Sequence, residues 1–211
     1  SHNYLNKLIM PLIMPSDIDR IGEKPRVGVF LCKCGGNISD FVDLDVVKKN
    51  VSKMDGVELV EIDEHWCSAP AAERIKQLIK EHKLNRVIVS ACTINMHQDH
   101  FREVIGEVGL NPYLLERVNA REQCSWVHRD NREEATAKEI ALIRGAIERA
   151  KELSELSHIK QKVNKNVVVI GGGISGIIAS LELAAGGYKV YLVEKSPTIG
   201  GRMAKYPKVF P

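Results

Sequence analysis

From Arg26 onward the chain alternates between short apolar, β-branched runs and longer amphipathic ones. Strand-like runs fall at 26–31 (RVGVFL), 57–62 (VELVEI), 86–91 (RVIVSA) and 112–118 (PYLLERV), with helix-period stretches between them at 43–54, 70–82 and 97–108. Asp43 and Pro70 stand where helices start, and Gly56 and Gly109 where they stop. Repeated βα units of this kind predict an α/β domain built on a small doubly wound parallel sheet. The next stretch, REEATAKEIALIRGAIERAKELSEL, puts Ile140, Ile143, Ala146, Ile147 and Ala150 on one face and reads as a long linking helix. Polar residues at 157–166 mark a boundary, and a new strand begins at Val167.

The predicted organisation is therefore an N-terminal arm (1–25), a cysteine-rich domain (26–130), a linking helix and linker (131–165) and a partial Rossmann-type βαβ nucleotide-binding unit (166–211). The arm carries the duplication LIMPLIMP at 8–15, whose two prolines exclude a regular helix. It is expected to lie extended against the body or against a partner.

Composition removes several function classes. The 211 residues are 44% hydrophobic, enough for a proper core, and a net charge of +3 without any like-charge block argues against a nucleic-acid partner. No leader pattern opens the chain and no apolar run approaches the ~20 residues of a membrane span, which predicts a cytoplasmic protein. Five cysteines in a reducing compartment should remain thiols unless a metal takes them.

The segment from Val167 carries a dinucleotide fingerprint in its proper context. An apolar strand leads into Gly171-x-Gly173-x-x-Gly176, which opens a helix, and a second strand ends at Glu194. Gly171 permits the tight turn, Gly173 admits the pyrophosphate and Gly176 lets helix and strand approach. The anion would rest on the helix N-terminus, where unpaired N–H groups and the dipole favour it. Glu194 is placed to accept from a ribose hydroxyl, and an acid there argues against NADP.

Cysteines follow each strand of the first domain within a few residues: Cys32 and Cys34, then Cys67, Cys92 and Cys124. The carboxyl ends of parallel strands share one edge, so their loops can gather distant thiols into one site. Thiolates without acid–base machinery suit a soft metal centre, either iron–sulfur or zinc. The plainer alternative is that free cysteines serve as small core residues. His65, His97 and His128 lie near these cysteines in sequence, as supporting donors or as ordinary loop histidines. Disulfide exchange through Cys32-x-Cys34 is the weaker reading, because a resolving pair is normally Cys-x-x-Cys.

Three stretches resemble the heterodisulfide reductase family, in its A-type component: CKCGGNI at 32–38, GLNPYLLERVNAREQCSWVH at 109–128 and VIGGGISGIIASLELAAGGYKVYLVEKSPTIGGRM at 169–203. The resemblance implies a [4Fe–4S] cluster in the first domain and FAD in the second, with Gly200 and Gly201 matching the family's second glycine pair. It further implies electron transfer within a multisubunit complex, with the flavin dividing electron pairs between a high- and a low-potential path. TINMHQD after Cys92 keeps only a histidine, His97, of the family's pattern, and WCSAPAA lacks its glycine near Cys67. After KVFP the family continues with an inserted ferredoxin domain and the bulk of the flavin domain. Another polypeptide is then expected to complete the FAD site. The alternative function is an assembly module holding structural zinc or free thiols, with the glycine loop docking a nucleotide.

Five thiols compete for the four protein positions of an ordinary [4Fe–4S] cluster. RVGVFLC (26–32) and RVIVSAC (86–92) share one spacing from arginine to thiol, so Cys32 is expected to match Cys92 as a ligand, beside Cys67 and Cys124. Cys34 is then left farther along the turn as a hydrogen-bond donor, a substitute ligand or a fifth thiolate.

Overall fold

The computed structural model describes residues 23–157 and 161–208, so the arm expected at 1–25 lies outside the described residues up to position 22. The chain divides near residue 157 into two units, each described by itself.

The first unit contains four parallel strands, β1 (Val27–Cys32), β2 (Val57–Asp63), β3 (Arg86–Ala91) and β4 (Leu115–Asn119), in the order β2-β1-β3-β4. The two central strands, β1 and β3, are buried along their whole length, as their continuous apolar runs require. Helices α1 (Leu44–Val51) and α4 (Arg132–Glu152) cover one face; α2 (Ala69–Glu81) and α3 (Gln98–Gly106) cover the other. Alternation along β1 divides the core accordingly. Val27, Val29 and Leu31 join the first layer, and Phe30 and Cys32 the second. The predicted doubly wound α/β class is the observed one.

Local chemistry sets the boundaries. Asp43 accepts from the Val46 N–H at 3.0 Å and Ser68 from the Ala71 N–H, capping α1 and α2. Strand four begins at Leu115, three residues later than its apolar pattern predicts, because Asn111 caps a 3₁₀ turn at Pro112–Leu114 through the Tyr113 N–H. Helix α4 does not act as a link. Ala135, Thr136, Glu139, Ile143, Ala146, Ile147 and Ala150 are buried against the sheet and α1, and the Arg86 side chain ties its C-terminus down by donating to the Ala150 and Leu153 carbonyls. The apolar stripe read as a linker face is a layer of the first unit's core.

Trp66, between β2 and α2, is fully buried, meets Phe30 edge-to-face at 5.0 Å and donates from Nε1 to the Leu31 carbonyl at 2.8 Å. Trp66→Phe keeps an aromatic ring but removes the N–H that this carbonyl accepts. A loss of about 1–3 kcal/mol in chemical denaturation is expected, and an unchanged midpoint would show that water replaces the bond.

The second unit is one βαβ element: β5 (Val167–Ile170), α5 (Ile174–Ala185) and β6 (Val190–Val193), with the two strands parallel. Exposure alternates strictly along both strands, and no residue of α5 is buried. Val168, Ile170, Tyr191 and Val193 lie bare on one sheet face, with Ile170 85% exposed.

Candidate functional site

In the strand order β2-β1-β3-β4, the chain leaving β1 runs outward to β2, while the chain leaving β3 runs the opposite way to β4. The crevice between the carboxyl ends of β1 and β3 is thus the topological switch point, the usual ligand position in an open α/β sheet. A cavity of about 210 Å³ opens there, lined by Cys32, Cys34, Cys67, Cys92, Asn37, His65, His97 and Arg121 among others.

Each thiol arrives for a local reason. Cys32 closes β1, and Cys34, Gly35 and Gly36 then take left-handed backbone conformations at φ +57°, +56° and +87°. That conformation costs a non-glycine residue about 1–2 kcal/mol; here it folds a tight turn, closed by the Ile38 N–H to the Lys33 carbonyl and by both N–H groups of Asn37 to the Cys34 carbonyl. The turn keeps both thiols of the pair at the cavity. Cys67 follows the Trp66 anchor, and Cys92 follows β3 directly. Cys32 feels the charges of Cys34 and Cys67, and Cys67 those of Cys92 and Cys34, so the four form one electrostatic group. Burial pushes Cys32 up to about 11 and raises Cys67 as well. Among the described residues, no three His, Cys, Asp or Glu side chains are gathered at the spacing of a single metal ion's ligands.

Cys124 goes elsewhere. It sits in a π-helical turn at Arg121–Ser125, is fully buried, and donates from Sγ to the Ala135 carbonyl at 3.1 Å. Its charged neighbours are Glu139 and Lys138, and burial pushes it up to about 12. In an α-helical turn, positions 121 and 124 would share a face. The wider turn, with the Ser125 N–H on the Ala120 carbonyl and the Trp126 N–H on that of Arg121, puts Arg121 at the cavity and Cys124 in the α4 core layer. The structure thus places Cys34, expected to stand aside, at the cavity with Cys32, Cys67 and Cys92, and Cys124, expected as a ligand beside them, in the core layer. The repeat behind that expectation is also displaced in space, since Val27, not Arg26, pairs with Arg86.

Two arginines face the thiols, and sequence reasoning missed both. Arg117, on β4 and almost wholly buried, stacks over Phe101 at 4.7 Å and donates to the Cys92 carbonyl at 3.1 Å. Burial lowers its pKa, while Cys92, Cys32 and Cys67 oppose that shift. Arg121 donates from Nη1 to Cys34 Sγ at 3.3 Å. Both stand within the 109–128 stretch; for Arg117 a charge in the middle of an apolar strand was the available signal, whereas Arg121, in the turn after it, carried none. His97, itself left-handed at φ +59°, lines the cavity with His65, and burial lowers its pKa. His128 does not line it; its ring lies 3.1 Å from Lys138 Nζ on α4.

Beneath the cavity, Ser90 donates to Oε1 of the fully buried Glu139 at 2.8 Å, and Oε2 has no hydrogen-bond partner among the described residues. Burial raises this carboxyl from 4.5 to about 7. The folded chain therefore holds a proton between those values that the unfolded chain releases. The stability from this group is complete below about pH 4.5 and is lost as pH rises through about 7. Glu139→Gln, which keeps an acceptor for Ser90, is expected to raise the melting temperature by a few degrees at pH 8 and to change little at pH 4.5. Equal shifts at both values would remove the ionisation from the account.

In the second unit the fingerprint glycines meet their geometric requirements. Gly171 has φ +103°, and a Cβ on Gly176 would lie 1.9 Å from the Gly171 carbonyl oxygen. Gly173 begins α5 with open space where a side chain would project. The Gly200 N–H donates to the Gly172 carbonyl at 2.6 Å, and Gly201, at φ +57°, packs on Gly173. The second glycine pair thus lies directly on the first. Glu194 accepts from the Gly172 N–H at 2.6 Å and the Ser196 N–H at 2.8 Å, and these two donors, Ser196 foremost, hold its carboxyl below the ordinary range. It braces the loop itself.

Comparisons with known proteins agree with this geometry. Residues 166–207 match the FAD dependent oxidoreductase family. The chain is 51% identical over 187 residues to the A-type iron-sulfur component of CoB--CoM heterodisulfide reductase from Methanocaldococcus jannaschii, covering 89% of this chain and 28% of that protein. It is 49% identical over 186 residues to the first of the corresponding components of Methanopyrus kandleri, with 88% and 28% covered. A protein of Archaeoglobus profundus that is named as like the same component is 46% identical over 189 residues, with 90% and 27% covered. The chain therefore spans little more than a quarter of the length of these relatives. Among the described residues no helix is long and apolar enough to cross a membrane. By sequence, with an FAD-oxidoreductase segment behind a thiol-lined α/β unit, this chain is a homologue of the A-type iron-sulfur component of heterodisulfide reductase.

Proposed function

We propose that this chain is an electron-transfer part of a heterodisulfide reductase-like oxidoreductase, holding a [4Fe–4S] cluster between Cys32, Cys34, Cys67 and Cys92 and contributing part of an FAD site. The observation that carries the reading is the convergence of four thiols from three loops on one cavity at the switch point. The donor chemistry fits the group. Sulfur ligands suit iron and sulfide, and Arg117 and Arg121 offset the negative charge that four thiolates bring. Around a single zinc ion at ~2.3 Å, four sulfurs must close together. A cluster spaces its thiol ligands more widely, so the metal and sulfide content of the loaded chain separates the two. When bound, the cluster supplies one-electron transfer and the flavin two-electron chemistry.

The chain's own residues bind and tune. Cys34 reaches the cavity through the left-handed turn, Trp66 fixes the loop of Cys67, and the arginines stabilise added negative charge. At the other site, Gly173 and the N-terminus of α5 receive a pyrophosphate, while Glu194 holds the loop in place. The bare sheet face of Val168, Ile170, Tyr191 and Val193 is to be covered by further polypeptide completing the flavin fold. Other subunits of such a complex are the expected partners, the cytoplasm the expected compartment, and division of electron pairs at the flavin the expected role of the assembly.

Anaerobic purification with assay of iron, acid-labile sulfide and brown absorption tests the cluster. A protein that is colourless, carries about one zinc and gains no sulfide on reconstitution would favour the assembly-module alternative and end this reading.

A further inference from the structure

We propose that Arg121 is a positioning residue for Cys34 whose guanidinium sets the reduction potential of a cluster bound at this cavity; the inference rests on the cluster reading above. The guanidinium is fixed from several directions. It stacks over Trp126 at 5.1 Å, pairs with Glu122 through Nε and Nη2 at 3.0 and 2.8 Å, and places Nη2 3.6 Å from Met96 Sδ. These contacts leave Nη1 for Cys34 Sγ at 3.3 Å. The side chain is thus prearranged before any ligand arrives, so little ordering entropy opposes the bond to sulfur.

Arg121 starts the π-helical turn, a rare conformation that recurs at functional sites. The same turn sends Cys124 into the core, so its extra width presents an arginine to the thiols in place of a fifth sulfur. Arg117 has a different part. Its Nη atoms go to the Cys92 and Met96 carbonyls, its stacking partner is the buried Phe101, and the thiol nearest it is Cys92, so it braces the Cys92 loop while Arg121 bonds Cys34.

The physical consequence has a definite sign. One-electron reduction adds negative charge to the thiolate–iron unit, and a cationic N–H donor at a ligand sulfur stabilises the reduced form more than the oxidised one. Arg121 therefore raises the potential, while Glu122, which shares the guanidinium, lowers it.

The test is a redox titration of the reconstituted 211-residue chain, reduced with dithionite and read by electron paramagnetic resonance. At the potential where the unaltered protein is half reduced, Arg121→Gln is expected to lower the ratio of reduced to oxidised cluster about tenfold at equal iron content. Arg121→Lys should fall between, since it keeps the charge without the fork. Glu122→Gln should move the ratio the other way. An unchanged midpoint and line shape in Arg121→Gln overturns the proposal. If that variant loses iron, Glu122→Gln and Trp126→Leu decide it, because the former should raise and the latter lower the midpoint, and no movement in either overturns it. Failure of the unaltered chain to take up iron and sulfide would count against the cluster reading instead.

Discussion

Serine in place of Cys34 is expected to abolish the iron–sulfur cluster or convert it to a form with less iron, and Cys32→Ser, Cys67→Ser and Cys92→Ser should do the same. Cys124→Ser should retain its full iron and acid-labile sulfide. The first four thiols line one cavity, and the fifth donates to the Ala135 carbonyl inside the α4 layer. A serine hydroxyl at 124 can make that same donation, so the substitution leaves little unsatisfied. Parallel reconstitution of the five variants, with iron and sulfide measured per chain, checks the assignment. Loss of iron in Cys124→Ser together with retention in Cys34→Ser would restore the ligand set that strand spacing suggests and would require the π-helical turn to rearrange on loading.

At the nucleotide site, two glycine variants should both lose flavin, but for separable reasons. A Cβ at position 176 would stand 1.9 Å from the Gly171 backbone oxygen, far inside van der Waals contact. Gly176→Ala is therefore expected to break the strand–helix turn and to make the 161–208 unit susceptible to protease. A Cβ at position 173 meets nothing within 4 Å, so Gly173→Val should leave the fold intact while filling the space of the pyrophosphate. Flavin content and limited proteolysis of the assembled, flavin-containing complex separate the two outcomes. Normal flavin in Gly173→Val would place the nucleotide elsewhere.

Short, β-branched continuous apolar runs at 26–31 and 86–91 suit strands buried on both faces, and they are the two central ones. The glycine fingerprint was equally legible, because Gly171 and Gly176 are demanded by local backbone geometry within a few residues. Local rules also placed the helix starts at Asp43 and Pro70. A long amphipathic helix is more ambiguous: the stripe of Ile143, Ala146, Ile147 and Ala150 says that a face is covered, but not by what. The charge of Glu139 within that stripe was the sign of an interior position, since a carboxyl on an apolar face is buried only where something such as Ser90 can bond it.

The sequence by itself determined that strand ends would deliver thiols to one edge, since cysteines follow every strand of a parallel sheet. Which thiols meet was decided only in three dimensions. Sheet register shifts the two arginine–thiol repeats by one residue, a left-handed turn at Cys34 keeps that thiol at the cavity, and a π-helical turn directs Cys124 into the core. Arg117 and Arg121 enter the site for the same reason. Strand pairing and turn width bring groups from distant sequence positions within bonding distance, and neither is written in residue spacing.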